Sequence, residues 1–171
     1  MRLKTILATF AFLLWASGAP ATQAINTTMP DAAVVGRGTL SYIFWDVYEA
    51  TLYAPRGQWR PGQPTALAIE YYHAIDGADI ADRSVQEIRQ QGFSDEVKLA
   101  AWHAQLRRIF PDVANGTILT AIYTPGEQTA FYNGNAFIGS IKGDEFGRLF
   151  FGIWLSEQTS APSLRRALLS L

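Results

Sequence analysis

The sequence contains no cysteine and only two histidines, His73 and His103. The absence of cysteine excludes disulfide bonds, thiolate-ligated metals and lipid attachment through a thiol. His73 follows a predicted strand, whereas His103 lies on a predicted helix beside Trp102, so we do not expect the two imidazoles to share a metal ion. We interpret both as ordinary surface or half-buried residues, and the sequence indicates no metal and no cofactor.

Charged residues and nucleotide-binding motifs are also scarce. Only 17% of the residues are charged and the formal net charge is −1, so no basic face for nucleic acid is predicted. The chain has no G-x-S-x-G motif, and Gly36 and Gly38 lack the spacing of a phosphate loop. After the first 24 residues, no run approaches the roughly 20 apolar residues of a membrane-spanning helix. We therefore expect no nucleic-acid partner and no membrane span in the mature chain, and the sequence identifies no protein partner.

The first 24 residues have the features of a secretory signal peptide. Arg2 and Lys4 give a positive start, residues 6–15 are almost all apolar, and small residues follow. Cleavage after Ala21 fits the small-x-small pattern, and cleavage after Ala24 is a second candidate. We predict a signal peptide over residues 1–24 and a periplasmic location, which suits an exported chain without disulfides. An uncleaved N-terminal membrane anchor is the alternative.

The remaining composition predicts one globular domain. Of the 171 residues, 49% are hydrophobic, which is enough for a single core over residues 25–171. Strands are followed by two helices, then by a meander of strands and two more helices. Because this order is not an alternating βαβ pattern, we predict an α+β fold, an antiparallel sheet with helices layered on one face. Residues 25–33 are predicted to be extended, since Pro30 disfavours a helix.

Residues 36–55 dominate the pattern, because they combine β-branched and aromatic side chains without a helical period. We predict two strands here, separated by a bend or bulge near Trp45 and Asp46. Neither face of the run is consistently polar, so we expect a central position in the sheet.

Helix boundaries and hairpin turns are marked later in the chain. Asp79 is a candidate N-cap, with the helix ending at Gly92, and a second helix is predicted from Ser94 to just before Pro111. Asn133-Gly134 is a strong hairpin signal. The other predicted elements are strands at 66–72, 117–123, 129–132 and 136–141, and helices from Asp144 and from Ser160 or Ser163.

Aromatic side chains are the most informative candidates for a binding site. An apolar cleft with a few polar groups is the usual way to hold a small ligand. The alternative is that these rings only fill the core. The candidates for lining such a cleft are Tyr42, Tyr48, Tyr71, Tyr72, Phe131, Tyr132, Phe150, Phe151 and Trp154.

Four stretches together resemble the bacterial, exported branch of the chalcone isomerase-like family. They are VGRGTLSYIFWDVYEATLYAP, IADRSVQEIRQQG, IFPDV and EFGRLFFGIWLSEQTSAPSLRRALL. The resemblance implies an open-faced β-sandwich, a large antiparallel sheet with helices on one side. In relatives, the cleft between sheet and helices holds a flavonoid in the plant enzymes or a fatty acid in non-catalytic members.

The active residues of the plant enzymes are not matched here. The resemblance places the family's substrate-binding arginine at Leu40, with Arg37 the nearest arginine. The positions of its tyrosine, asparagine, threonine and lysine fall at or beside Ile80, Glu87, Ile153 and Tyr71. Stabilising a developing oxyanion requires positioned donors, so catalysis of chalcone cyclisation is not expected.

Three hypotheses follow. The first is an exported, non-catalytic protein that binds a small apolar ligand such as a fatty acid in the cleft, with Arg37 and Arg83 available for a carboxylate. The second is an isomerase or lyase that uses Asp46, Tyr48 and Glu87. The third is a structural or interaction protein of the cell envelope with a packed cleft. The predicted ligand-binding residues are Arg37, Tyr48, Tyr72, Arg83, Glu87 and Trp154.

Overall fold

The computed structural model describes residues 20–171, which form a six-stranded antiparallel sheet. The strands are β1 (Ala32–Tyr42), β2 (Trp45–Pro55), β3 (Thr65–Tyr71), β4 (Ile118–Thr124), β5 (Gln128–Asn133) and β6 (Ala136–Lys142). Each strand pairs with the next one in the chain, so the order across the sheet is the order in sequence. The predicted α+β class with an antiparallel sheet is confirmed.

The helices are α1 (Pro20–Thr28), α2 (Gly77–Gln90), α3 (Glu96–Ile109), α4 (Asp144–Leu155) and α5 (Pro162–Leu169). Helix α2 begins before Asp79, with Asp76 as its N-cap residue, because the Gly77 N–H donates to Asp112 Oδ1 at 2.9 Å. Asp95 caps α3 by accepting from the Lys98 N–H, as expected for a short acidic side chain at this position. Gly92 ends α2 with φ +97°, as predicted.

The first hairpin contains the two strands predicted for residues 36–55, but the break lies at Ile43 and Phe44, since Tyr42 pairs with Trp45. The predicted central position is wrong for β1, which forms one edge of the sheet. The physical reason is that, among the described strands, β1 pairs with β2 alone, and its apolar residues pack against α5 instead of needing a second neighbouring strand.

Helices α2 to α5 pack on one face of the sheet and enclose an aromatic core. Phe150 packs edge-on against Phe131 and Trp154, with ring centroids 5.3 and 5.4 Å apart. Phe146 is 1% exposed and stacks on Phe150 at 5.4 Å. The contact between Phe150 and Phe131 joins α4 to β5, because edge-to-face and offset-stacked rings are the favoured aromatic arrangements.

Helix α1 covers part of the opposite face, and the prediction that residues 25–33 are extended is wrong for the residues up to Thr28. Ile25 and Met29 are buried against Ala66 and Ile122, whose side chains alternate with those facing the main core. Pro30 lies after the end of α1 and so does not interrupt its hydrogen bonds. Most of the predicted signal peptide lies outside the described residues, and its cleavage position stays a prediction.

The edge strand β1 is held down by α5 through two glycines. A Cβ at Gly36 would overlap the carbonyl oxygens of Ala167 and Leu168, and one at Gly38 would overlap the Ala167 and Leu164 side chains. The absence of a side chain therefore lets the helix backbone approach the strand. This contact places α5 over one end of the sheet, beside the site described next.

Candidate functional site

A cavity of about 930 Å³ lies between the sheet and helices α2, α4 and α5. This volume is at the upper end of the range for small-molecule sites, about 300 to 1,000 Å³. The third hypothesis, a structural or interaction protein with a packed cleft, required that no such cavity exist. The apolar side chains on its wall come from both layers and include Leu67, Ile69, Tyr71, Ile80, Phe110, Leu119, Ala121, Phe131, Phe150, Ile153 and Leu164.

Tyr48 supplies a buried hydroxyl to this cavity. The Trp154 indole N–H donates to Tyr48 Oη at 2.8 Å, so the phenol oxygen acts as an acceptor. Burial raises the pKa of Tyr48 to about 12, although the hydrogen bond from Trp154 opposes the rise. The phenol is therefore protonated at neutral pH. Within residues 20–171, this O–H finds no protein acceptor, which leaves it free to donate to a polar group of a bound molecule.

Arg83 and Glu87 form an ion pair one turn apart on α2. The Glu87 side chain is only 6% exposed, whereas that of Arg83 is 61% exposed. Ser160 Oγ donates to Glu87 Oε1 at 2.8 Å. The buried carboxylate thus receives both a cation and a hydroxyl donor, as a buried charge requires. Arg83 also lines the cavity, and its planar guanidinium has further N–H groups to offer.

Four of the six predicted ligand-binding residues line the cavity, namely Tyr48, Arg83, Glu87 and Trp154. Arg37 and Tyr72 do not. Gly36 and Gly38 face α5, so the intervening Arg37 points to the other face of the sheet, where it pairs with Glu49 at 3.3 Å. Tyr72 lies in the bend just after the end of β3, next to Tyr71, which faces the cavity. Ligand contact by the other four stays a prediction.

The aromatic candidates divide in a similar way. Those that line the cavity are Tyr42, Tyr48, Tyr71, Phe131, Phe150 and Trp154. Burial raises the pKa of Tyr71, whose ring packs edge-on against Tyr48 at 5.9 Å. Tyr132 instead packs on Phe137, and Phe151 packs on Tyr123. Ring content alone therefore does not distinguish core from cavity positions.

The positions that the resemblance assigns to catalysis do surround the cavity. Leu40, Tyr71, Ile80, Glu87 and Ile153 all line it. Leu40, Ile80 and Ile153 carry no group that can donate to an oxyanion. Their apolar side chains make this part of the wall suited to hydrocarbon.

The residues of the enzyme hypothesis do not converge. Tyr48 and Glu87 line the cavity, but Asp46 lies near the end of the first hairpin, where its carboxylate accepts from Ser41 Oγ at 2.6 Å.

The two histidines lie in different parts of the fold, as predicted. His73 packs edge-on against Trp45, and His103 Nε2 lies 2.6 Å from Asp82 Oδ1 on the outer surface of α2 and α3. Residues 20–171 contain no cluster of three potential metal ligands.

Sequence reasoning missed Ser160 and the contribution of α5. Ser160 was interpreted only as a helix cap, yet it hydrogen-bonds Glu87 from the loop after α4. Leu164 closes the same side of the cavity. The contact joins residues 73 positions apart, and no local pattern marks such a pair. The glycines of β1 were the available indication that another backbone approaches there.

An antiparallel sheet covered by helices on one face, with a cavity between the two layers, defines the architecture of this α+β protein. A family model described as chalcone isomerase-like matches residues 18–170. The chain therefore belongs to the chalcone isomerase-like family. No curated protein matches the chain at a significant level.

The fold is similar to that of a fatty-acid binding protein from Arabidopsis thaliana, known from its crystal structure. The TM-score is 0.63 with 12% sequence identity, and the match covers 81% of this chain and 87% of that chain. At this identity the similarity establishes the fold. None of the helices within residues 20–171 is both long and apolar enough to cross a lipid bilayer.

Proposed function

We propose that this protein is a non-catalytic binding protein for a small apolar ligand such as a fatty acid. The cavity between sheet and helices is the observation that carries the proposal, because most of the surface of its wall is hydrocarbon. Such a lining holds a chain by burial of apolar surface and orients it through a small number of hydrogen bonds. The fold shared with a fatty-acid binding protein supports the same class of ligand.

Arg83 and Tyr48 are the groups we assign to the ligand's polar end. Both line the cavity, Arg83 brings the positive charge and Tyr48 brings an uncommitted O–H. A charged carboxylate strengthens hydrogen bonds from both kinds of donor. In this arrangement the Arg83 guanidinium binds both Glu87 and the ligand carboxylate. The hydrogen bond from Ser160 then stabilises part of the negative charge of Glu87.

We also propose that the chain is an exported bacterial protein that works in the periplasm. The support is the N-terminal sequence, in which Arg2 and Lys4 precede a short apolar run and small residues. Fractionation of cells that express the full chain tests this part, since a protein retained in the cytoplasm would contradict it.

The binding proposal is tested by introducing bulk into the cavity. Ala121 is buried on its wall, so Ala121→Phe fills the space that an acyl chain requires. The control is Ala104→Phe, which adds the same group to the exposed side of α3. Fatty acids of increasing chain length are titrated against each protein, and material extracted from the purified protein is identified by mass spectrometry.

We expect the protein and the Ala104→Phe control to bind long-chain fatty acids, and Ala121→Phe to lose at least about tenfold in affinity, because a filled site excludes hydrocarbon. Equal affinity in all three, or no binding of any chain length by the unmodified protein, would refute the proposal. Thermal unfolding of each variant checks that the substitution has not unfolded the domain.

A further inference from the structure

The tip of the first hairpin, defined here as residues Tyr42, Ile43, Phe44 and Trp45, is the most exposed apolar feature in the described part of the chain. The exposed fractions of these four consecutive residues are 71%, 73%, 93% and 67%. Single exposed apolar residues are ordinary on protein surfaces, but a contiguous group marks a contact site. Phe44 at the apex shows almost no contact with the rest of the domain.

The backbone of the tip is held in a strained form. Ile43 has φ 58°, which is a left-handed conformation that a β-branched residue rarely adopts. Two-residue hairpin turns normally place Gly, Asn or Asp at such a position. Ser41 donates to Asp46 at the base of the tip, so the turn is closed by side chains of the flanking strands. A strained backbone that presents apolar side chains to solvent points to a function.

The order of side chains in the tip fits a lipid surface. The apex residues Ile43 and Phe44 are wholly apolar, whereas Tyr42 and Trp45 beside them are amphipathic aromatics of the kind enriched at membrane–water interfaces. No charged residue interrupts the four. Their exposed area is about 600 Å² on typical values for such side chains, which is below the roughly 800 Å² per partner of a stable protein interface.

The tip also adjoins the cavity. Ser41 and Tyr42 belong to the hairpin and line the cavity together with Leu40 and Val47, so the cavity wall extends to the tip. We propose that the tip docks the protein on a lipid bilayer, with Ile43 and Phe44 inserted among the acyl chains, so that the ligand passes between bilayer and cavity. The role in ligand transfer depends on the proposed function, but docking itself does not.

Electrostatic attraction contributes little to this docking. The charged residue at the base of the tip is Asp46, and residues 41–46 contain no lysine or arginine. We therefore expect binding to vesicles of neutral phosphatidylcholine, with little dependence on salt. Binding that required anionic lipid and disappeared in salt would indicate another surface of the protein.

The experiment is flotation of the protein with phosphatidylcholine vesicles. Phe44→Ser and Ile43→Asn test the tip, and Val97→Ser is the control, because Val97 is an 82% exposed apolar residue on α3, outside the tip. We expect each tip variant to lose at least about tenfold in the fraction bound, and the control to bind as the unmodified protein does. Ile43→Asn also relieves the turn, so a loss of docking there does not come from unfolding.

Docking and ligand binding are separated by the Ala121→Phe variant, whose cavity is filled but whose tip is intact. Continued flotation of that variant supports docking even where fatty-acid binding fails. The proposal is overturned if the tip variants float as well as the control, or if the unmodified protein does not bind vesicles. Self-association of the unmodified protein that Phe44→Ser abolishes, without vesicle binding, would instead assign the tip to a second copy of the chain.

Discussion

Removing the Tyr48 hydroxyl tests the polar end of the cavity. In Tyr48→Phe the Trp154 N–H, buried with the 8% exposed indole, loses its acceptor. An unpaired buried donor costs about 1 to 3 kcal/mol. For a domain of this length, 1 kcal/mol corresponds to about 2 to 4 °C in the unfolding temperature. We expect Tyr48→Phe to melt about 6 °C below the unmodified protein, which calorimetry measures directly.

The same variant removes a donor from the ligand. A hydrogen bond to a charged group contributes about 1.5 to 3 kcal/mol, so we expect fatty-acid affinity to fall by about tenfold to hundredfold. Affinity for a fatty alcohol of equal length falls less, because a neutral hydroxyl makes a weaker hydrogen bond than a carboxylate does. Titration of both ligands against both proteins gives the comparison.

A double-mutant cycle identifies the hydrogen bond as the cause. Tyr48→Phe, Trp154→Phe and the double variant are unfolded in urea, and we expect a coupling free energy of about 0.5 to 3 kcal/mol, since contacting residues are not additive. Additive free energies of unfolding would refute the assignment of the hydrogen bond. An unchanged preference between acid and alcohol would refute the assignment of Tyr48 to the ligand's polar end.

Three further predictions concern the rest of the fold. Burial raises the pKa values of Tyr48 and Tyr71, so their contribution to stability is complete below about pH 10 and is lost as the pH rises towards about 12. Urea unfolding across this interval should show a fall in the free energy of unfolding, and the fall should be smaller in Tyr48→Phe and in Tyr71→Phe. Gly36→Ala should lower the free energy of unfolding by about 1 to 3 kcal/mol because its Cβ would overlap the α5 backbone. Intact mass of the exported protein should show cleavage after Ala21, since cleavage before the fully buried Ile25 would place a charged terminus against the sheet.

Most of the fold was predictable because it depends on local chemistry. The Asn133-Gly134 signal placed the hairpin between β5 and β6 one residue early, because Asn133 ends β5 and the two turn residues are Gly134 and Asn135. Gly134 and Gly92, which follows the end of α2, do have the positive φ that few other residues tolerate. The start of α2 was predicted late, since Gly77 is fixed by Asp112 from a distant loop. A long-range hydrogen bond of this kind leaves no periodic trace in the sequence.

The candidate site was predictable only in part. Tyr48 and Trp154 were identified from aromatic content, and the structure brings them into one hydrogen bond. Arg37 was selected because it is the nearest arginine to a family position, but facing depends on register, and a shift of one residue reverses it. Ser160 was missed because its role requires α5 to fold over the edge strand.

The first hairpin shows why apolar content and burial must be argued separately. The aromatic and β-branched residues of β1 and β2 predict strands correctly, yet the same composition at Ile43 and Phe44 was interpreted as part of a covered sheet. At the tip the backbone is strained at Ile43 and the side chains are in water, so neither local conformation nor core packing favours these residues. A bilayer would reverse the sign of the solvation free energy for both side chains, because apolar surface gains by leaving water. The proposed contact with lipid therefore accounts for their presence beside the cavity.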